Sequence, residues 1–453
     1  MKCLVAGAYG FIGQAIVRAL LKAGHEVVGA GRDVALGQRL LPEIAWLRVD
    51  YNERLSASDW VEDLAGVDAV INAVGILQSD LRDKASYVHG QGAAALFQGA
   101  EAAGVHRLIH ISATTIGELP EDDTDADLAV KNPLSEYAAS KLAGERALRR
   151  VKLSSLIIRP DFVIGHHSSG GALLLRGLSG LPFVVPLPGA GGQRFQPVMI
   201  DDLAELVVKM VAADRLPHAD RQAPLLAGEP EMIYAVGPEV RTLREMILSY
   251  RRWLGFAGGY ELRVPLFLLK LMAMAGDVSS LLGNRGALRS ASLEQMESFE
   301  LHDAAPFEAA LGRPLTSMSD YLNEQPASLS DRVHARTYFW VPLLILGVAL
   351  TWMFEGYEQL VQISHERGFG TLALAGSLTW EGVAALLSIL SGVFFLSRRW
   401  RRIGGMIKIA LIVGVGLLHV ALITSVTQGV GLALSIVVPV LLIAVLMSFS
   451  ESR

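Results

Sequence analysis

Lys2-Cys3-Leu4-Val5-Ala6-Gly7-Ala8-Tyr9-Gly10-Phe11-Ile12-Gly13-Gln14 reads as a short apolar run, a glycine-rich turn and the start of a helical pattern that closes at Gly24. In that order, strand, turn and helix set the free N–H groups and partial positive charge of a helix N-terminus at a strand end. Glycines there let a diphosphate approach the backbone. Gly7, Ala8, Tyr9, Gly10, Phe11, Ile12 and Gly13 are therefore the expected pyrophosphate cradle. The spacing is G-x-x-G-x-x-G rather than the commoner G-x-G-x-x-G, so the turn read alone admits a nucleotide or merely a tight bend. Working outward, apolar runs at Val27 to Ala30, Trp46 to Val49, Ala69 to Ala73 and Leu108 to Ser112 alternate with helical stretches. The alternation predicts an α/β, Rossmann-type domain with a doubly wound parallel sheet and a ligand at the carboxyl ends of its strands.

The 453 residues are too many for one ordinary domain. With 40 basic against 45 acidic side chains the net charge is −5, so no positive field recruits nucleic acid. The single cysteine, Cys3, lies inside the first apolar run and reads as a buried structural thiol, with no disulfide framework and no thiolate zinc site. His166 and His167 have no third ligand at metal spacing, so no metal is expected. The opening apolar run is too short for a signal peptide, which places the N-terminal domain in the cytoplasm. A β-run at Ser155 to Arg159 precedes Pro160, and the Gly- and Pro-rich sequence from about 160 to 325 reads as a smaller substrate lobe. Inside it, Arg263 to Ala275 is apolar; lobe core is the preferred reading over a helix at a membrane surface. The expected boundaries are 1–325 for the dinucleotide domain with its lobe, 326–336 for a polar linker and 337–453 for a membrane domain.

The second strand ends Gly29-Ala30-Gly31-Arg32-Asp33. Arg32 holds the position facing the adenosine ribose, and a guanidinium there matches a 2′-phosphate, which favours NADP(H). Asp33 beside it keeps NAD(H) open. Asp50, after the third strand, reads either as an adenine contact or as a turn cap. Tyr137 and Lys141 stand four apart in a helical stretch, Glu136 to Arg150, so both lie on one face. An ammonium beside a phenol lowers its pKa and readies it to exchange a proton with a carbonyl or hydroxyl oxygen. Ser112 closes the fifth strand, where its hydroxyl can bond a substrate oxygen.

With these residues in order, the sequence resembles the short-chain dehydrogenase/reductase superfamily in its extended and atypical branches. Gly7, Gly10 and Gly13, Asn72-Ala73-Val74-Gly75, Ser112-Ala113-Thr114-Thr115-Ile116-Gly117, Tyr137-Ala138-Ala139-Ser140-Lys141 and Arg159-Pro160-Asp161-Phe162-Val163-Ile164-Gly165 carry the resemblance. It implies a Ser112, Tyr137, Lys141 triad, with Tyr137 as acid/base, Lys141 as its tuner and a ribose ligand, and Ser112 orienting the substrate. It also implies cofactor contacts from Ala73, Val74, Gly75, Pro160 and Val163. Val88-His89-Gly90-Gln91-Gly92-Ala93, Arg194 to Asp202 and Val236 to Thr242 are similar to landmarks of the branch containing the NADPH-binding accessory subunit of respiratory complex I. That kinship implies an alternative role, holding NADPH as a sensor or assembly factor without turnover. The nucleotide-sugar epimerases and dehydratases share the triad. Asp161 departs from the small residue usual after Arg-Pro, near the nicotinamide.

Tyr338 to Phe354, Thr371 to Leu396, Ile403 to Val426 and Val430 to Phe449 each have the length to cross a hydrocarbon layer. They predict a four-helix transmembrane bundle, similar to the DoxX-like family over roughly residues 333 to 450. Arg398-Arg399-Trp400-Arg401-Arg402 between the second and third spans is expected on the cytoplasmic side, with both chain ends. Glu381 and His419 fall at similar depth in neighbouring spans and read either as a quinone or lipid-headgroup site or as a structural hydrogen bond. Lys408 is expected to snorkel. These features together predict a membrane-anchored NADP(H)-dependent oxidoreductase acting at a carbonyl or hydroxyl carbon of a small lipophilic or quinone-like substrate.

Overall fold

The computed structural model describes the chain except residues 77, 78, 80–83, 117–135, 167, 169, 214–229, 282–288, 291, 292, 294–299, 368–379, 399, 423–439, 441, 442 and 444–453. It divides into two compact units, residues 1–277 with 287–335, and residues 278–286 with 336–453.

In the first unit the chain runs β1 (Lys2–Ala6), α1 (Phe11–Lys22), β2 (Glu26–Gly31), α2 (Val34–Leu40), β3 (Ala45–Arg48), α3 (Ser58–Val61), β4 (Ala69–Asn72), α4 (Gly92–Ala102), β5 (Arg107–Ile111), α5 (Glu136–Arg149) and β6 (Ser154–Pro160). It continues through β7 (Val163–Ile164), α6 (Gly171–Gly180), β8 (Val184–Pro188), β9 (Arg194–Phe195), β10 (Val198–Met199), α7 (Ile200–Ala212), β11 (Glu231–Ala235), β12 (Arg241–Thr242), α8 (Leu243–Trp253), β13 (Tyr260–Val264) and α9 (Leu266–Leu281), whose residues from Val278 belong to the second unit. The helices α10 (Ala305–Leu311), α11 (Met318–Glu324) and α12 (Leu329–Thr337) follow. The main sheet is parallel throughout, in the order β11-β6-β5-β4-β1-β2-β3, so the winding reverses between β1 and β4. The observed strands match the predicted runs to within a residue or two. They read as unbroken apolar stretches because helices cover both faces. One face buries Cys3, Val5, Ile71, Ile109 and Ile158 against α1, α7 and α10; the other buries Leu4, Val70, Leu108 and Ile157 with Trp60, Leu96 and Phe97. Cys3 is the buried thiol expected, its pKa pushed up to about 11 by burial.

Residues 160–325 are not one separate lobe. β11 joins the main sheet beside β6, pairing Ile233 with Ile158. Leu203, Leu206, Val207 and Met210 of α7 share a core with Ile16, Val17 and Leu20 of α1. These apolar faces draw their elements into the main domain. The smaller lobe proper is built on α6, α8, α11 and the β8–β13 pair around Leu175, Val185, Ile247, Tyr250 and Tyr321. The expected linker is likewise mostly α12. Ser328 and Asp331 cap its start reciprocally, with Ser328 N–H donating to Asp331 at 2.9 Å and Asp331 N–H to Ser328 Oγ at 3.2 Å. The same carboxylate receives the buried Arg176 guanidinium at 3.2 Å, and Gly180 leaves room for the Ala335 backbone.

α5 is fixed to the sheet by charge. Glu145 and Arg159 of β6 are fully buried and pair through two hydrogen bonds, Nε to Oε1 at 2.9 Å and Nη2 to Oε2 at 2.7 Å, with Nη1 reaching the Tyr234 hydroxyl at 3.1 Å.

In the second unit α13 (Trp340–Arg367), α14 (Trp380–Leu396) and α15 (Arg401–Leu422) pack side by side. Backbone contacts are close because glycines line them: a Cβ on Gly392 would sit 2.7 Å from the Ala349 carbonyl and one on Gly404 2.6 Å from that of Ser391. Among the described residues one helix, Trp340–His365, is long and apolar enough to cross a membrane, and Gly382–Leu396 is a shorter apolar helix. The fourth expected span, 430–449, lies outside the described residues except 440 and 443, so the described residues hold three helices of the expected four-helix bundle. The side chains of Glu381 and His419 also fall outside the described ones. Lys408 does not snorkel. It is buried, with Nζ 2.6 Å from Glu355 Oε2 and 3.0 Å from Ser388 Oγ, because a carboxylate and a hydroxyl on neighbouring helices offer its ammonium partners inside the unit.

Replacing Arg159 by Leu leaves the Glu145 charge buried without its partner, an expected loss of about 3–5 kcal/mol of unfolding free energy. The double variant Arg159→Leu/Glu145→Leu should recover much of that loss in denaturant melts of the purified protein. Equal melts for the single variant and the parent would contradict the role given to the pair.

Candidate active site

The glycine turn is shaped by contacts that tolerate no side chain. Gly7 takes φ +80°, and a Cβ there would lie 2.9 Å from the Ala73 carbonyl oxygen. A Cβ on Gly13 would collide with the Gly7 carbonyl, so α1 can start this close to β1 only with glycine at that position. Gly7 N–H donates to the Ala30 carbonyl at 2.9 Å, and Gly10 N–H to the Gly7 carbonyl at 2.9 Å. Gly10 is the N-cap of α1 and supplies no side-chain cap, so the first turn keeps its N–H groups for an anion. Ala8 is buried under the turn. Tyr9 folds over Gly31 and stacks on Trp46 at 6.0 Å, its hydroxyl accepting the Arg32 N–H at 3.3 Å. Asp33 is committed locally, with Oδ1 accepting the Leu36 N–H at 2.9 Å as the cap of α2. Asp50 caps a turn, Oδ1 accepting from Asn52 N and Nδ2, each at 3.0 Å. The cradle therefore fits a dinucleotide, and its steric character explains a glycine spacing that the fingerprint alone left open.

The Ala73-Val74-Gly75 loop leaves β4 next to α5: a Cβ on Gly75 would lie 3.4 Å from Lys141 Nζ and 3.7 Å from His89 Nε2. Lys141 is buried, and its Nζ donates to the Ile111 carbonyl at 3.0 Å, immediately before Ser112. The Ser112 hydroxyl is buried with no hydrogen-bond partner among the described residues, a donor left for a bound group. Tyr137, one turn before Lys141, is half-buried. Pro160 ends β6 beside Ala235, and Val163 pairs with Val198. Burial lowers Lys141 to about 8, against the pull of Glu145, and raises Tyr137 to about 12. The expectation that the ammonium sets the phenol's pKa is thus corrected: desolvation dominates, and Tyr137 stays protonated at neutral pH.

The sequence reading named the side chains that brace this constellation only as members of motifs and gave them no bracing role. His89 sits in a π-helical turn, Ser86–Gln91. Its Nε2 accepts the Ile76 N–H at 3.0 Å. Nδ1 then carries the proton and donates to Ser140 Oγ at 2.8 Å, and Ser140 donates in turn to the Tyr137 carbonyl at 2.8 Å. The His89 ring meets Tyr137 edge-on at 5.7 Å. Burial, with Lys141 nearby, holds His89 well below the ordinary histidine pKa, which keeps the imidazole neutral. Beneath it, Asn72 accepts from the Tyr51 hydroxyl at 3.1 Å and from Val74 N–H at 3.2 Å, and approaches His110 Nδ1 at 3.2 Å. A histidine inside an alanine-rich helical run was the available signal. Among the described residues no cluster suits a metal; His166 Nδ1 instead faces Asp331 at 3.6 Å, and His167 lies outside the described residues.

Asp161 is buried at the end of β6. Its Oδ2 accepts the Gln196 N–H at 2.6 Å, while Oδ1 has no partner among the described residues. Burial raises its pKa from 3.8 to about 7. The folded protein therefore holds this proton to higher pH than the unfolded chain, so Asp161 lowers stability progressively as pH rises from about 4 to 7. Asp161→Asn is expected to melt higher than the parent at pH 8, with the difference closing toward pH 4. A pH-independent difference would contradict the assignment.

With the geometry in place, comparisons with known proteins agree with it. Residues 3–221 match the family described as the NAD dependent epimerase/dehydratase family. UDP-glucose 4-epimerase of Mycolicibacterium smegmatis is 35% identical over 157 residues, 32% of this chain and 49% of that protein. Ceramide reductase of Caulobacter vibrioides is 31% identical over 166 residues, 36% of this chain and 46% of that protein. The chain thus spans about half the length of these curated relatives. UDP-glucuronic acid 4-epimerase from Bacillus cereus, solved with UDP-glucuronic acid and NAD, shares the fold with a TM-score of 0.51 at 20% identity, over 75% of this chain and 100% of that one. Sheet order, glycine cradle and family match converge on one statement: the chain carries a Rossmann-type dinucleotide fold whose residues 3–221 are similar to the NAD dependent epimerase/dehydratase family.

Proposed function

We propose that the chain is a membrane-anchored, NADP(H)-dependent oxidoreductase that moves hydride to or from a carbonyl or hydroxyl carbon of a lipophilic or quinone-like substrate. The observation that carries the reading is the face of α5. Lys141 bonds the carbonyl beside Ser112, Ser112 offers a buried hydroxyl with no partner among the described residues, and Tyr137 stands one turn away. A nicotinamide bound there would supply or take the hydride. Ser112 orients the substrate oxygen by hydrogen bonding, and Tyr137 donates its phenolic proton to that oxygen as hydride reaches the carbon. The Lys141 ammonium, protonated below about pH 8, stabilises the phenolate left behind. A phenol held protonated by burial suits the reductive direction. Ala73, Val74, Gly75, Pro160 and Val163 line the carboxyl ends of the sheet where the cofactor would lie.

NADP(H) is preferred to NAD(H) because Arg32 stands at the end of β2 while the Asp33 carboxylate is occupied as a helix cap. The lipophilic substrate rests on the apolar C-terminal helices and on a relative named for reducing a lipid. Trp340–His365 is the first of four proposed spans in the cytoplasmic membrane, an even number that leaves Arg398 to Arg402 and both ends of the chain on the cytoplasmic side. A second reading, a nucleotide-sugar epimerase or dehydratase, is favoured by the matched UDP-glucose 4-epimerase.

Tyr137→Phe is expected to lower turnover of lipid carbonyls or quinones by about 10²–10⁴-fold while leaving NADPH affinity unchanged, measured on the solubilised protein. Unchanged turnover would remove Tyr137 from the chemistry. Conversion of UDP-glucose by the parent would favour the epimerase reading, and tight NADPH binding without turnover of either class would favour a sensor or assembly role. Arg32→Ala should weaken NADPH roughly 10–100-fold, the loss of a hydrogen bond to a charged group, and NADH little. Equal losses for both nucleotides would overturn the preference.

A further inference from the structure

We infer that α9 lies in the headgroup region of a lipid bilayer, with its apolar surface sunk toward the acyl chains. The helix is apolar nearly all round: Leu-Phe-Leu-Leu-Lys-Leu-Met-Ala-Met-Ala-Gly-Asp-Val-Ser-Ser-Leu. The reading of this segment as lobe core is overturned. Only the stripe through Leu269, Ala273 and Ser280 is buried, whereas Leu266, Phe267, Leu271, Met274 and Val278 are exposed, Phe267 by 68%, Val278 by 64% and Met274 by 59%. A helix apolar on every side belongs in a protein core or in hydrocarbon, and an exposed apolar surface this continuous marks an interaction site.

Three observations choose lipid over another protein. Its 16 residues span about 24 Å at 1.5 Å each, less than the roughly 30 Å of a hydrocarbon core, so the helix suits lying along the interface better than crossing it. Its one carboxylate, Asp277, is engaged by Arg289 at 3.3 Å and Ser290 at 2.6 Å, so exposed Lys270 leaves the surface cationic, the charge that anionic headgroups attract. The last turn of the helix, from Val278, belongs to the second unit, the one that carries α13. The inference rests on the membrane reading proposed above and adds that the dinucleotide-bearing chain itself, not its anchor alone, touches lipid. A lipophilic substrate dissolved in that leaflet would meet the enzyme at α9.

The test uses the full chain in vesicles containing phosphatidylglycerol. Cys3→Ser removes the single native thiol, and Phe267→Cys, Leu271→Cys and Met274→Cys each carry an environment-sensitive fluorophore. The expected result is blue-shifted emission, quenched by lipids brominated near the headgroup and shielded from aqueous iodide. Iodide quenching, with the protein retained in the membrane through an alkaline carbonate wash, would overturn this inference and leave the anchor standing. Release by the wash would remove the anchor and this inference together. Shielding from both quenchers that grows with protein density would assign the surface to a second copy of the chain and overturn the lipid assignment.

Discussion

The buried ion pair between Glu145 and Arg159 fixes the candidate site, because it sets the rotation and depth of α5 against the sheet. Tyr137, Lys141 and Glu145 are successive members of one helical row. Once Glu145 is clamped to β6, Lys141 must fall at the end of β5, where its ammonium finds the Ile111 carbonyl, and Tyr137 must fall one turn nearer the cofactor loop. Removing two charges from water is costly, and the bidentate geometry with the extra Tyr234 contact offsets that cost. What the pair adds is position more than stability. A helix held by apolar contacts alone could slide by fractions of a turn; one held by a forked ion pair cannot.

A second constraint is steric. Gly7, Gly13 and Gly31 are sites where backbone or an aromatic ring already occupies the space of a Cβ. The result is a helix N-terminus pressed against the strand ends, its first N–H groups without a side-chain cap. The chain His89, Ser140, Tyr137 carbonyl then ties the loop after β4 to the first turn of α5. The loop after β4 and the first turn of α5 are thereby parts of one hydrogen-bonded body, and the neutral imidazole in it is maintained by burial.

Much of this was legible in the sequence, for identifiable reasons. Parallel strands covered on both faces announce themselves as apolar runs, so β1 to β6 fall where predicted. A Tyr and a Lys four apart on a helix must share a face. What escaped depends on tertiary partners. Asp33 and Asp50 could be ligands or caps until the Leu36 and Asn52 donors were located. The strand Glu231–Ala235 was hidden because a single late strand completes the sheet only through pairing with β6. Lys408 was taken for a snorkelling side chain because Glu355 lies 53 residues away in sequence yet 2.6 Å away in space. The apolar segment of α9 looks like core in one dimension; only its uncovered surface shows otherwise. The phenol's pKa was misjudged because a neighbouring charge is visible in sequence and desolvation is not.

The central claim is that this site moves hydride between a bound nicotinamide and a lipophilic carbonyl, and isotope transfer tests it most directly. Membranes of cells that make the protein would be supplied with NADPH deuterated at the transferable position of the nicotinamide, and the extracted carbonyl and hydroxyl lipids analysed by mass spectrometry. The account predicts a reduced product one mass unit heavier, with deuterium on the carbinol carbon and formed only when Tyr137 is intact. Deuterium absent from every lipid product, with labelled NADPH recovered bound and unchanged, would contradict it.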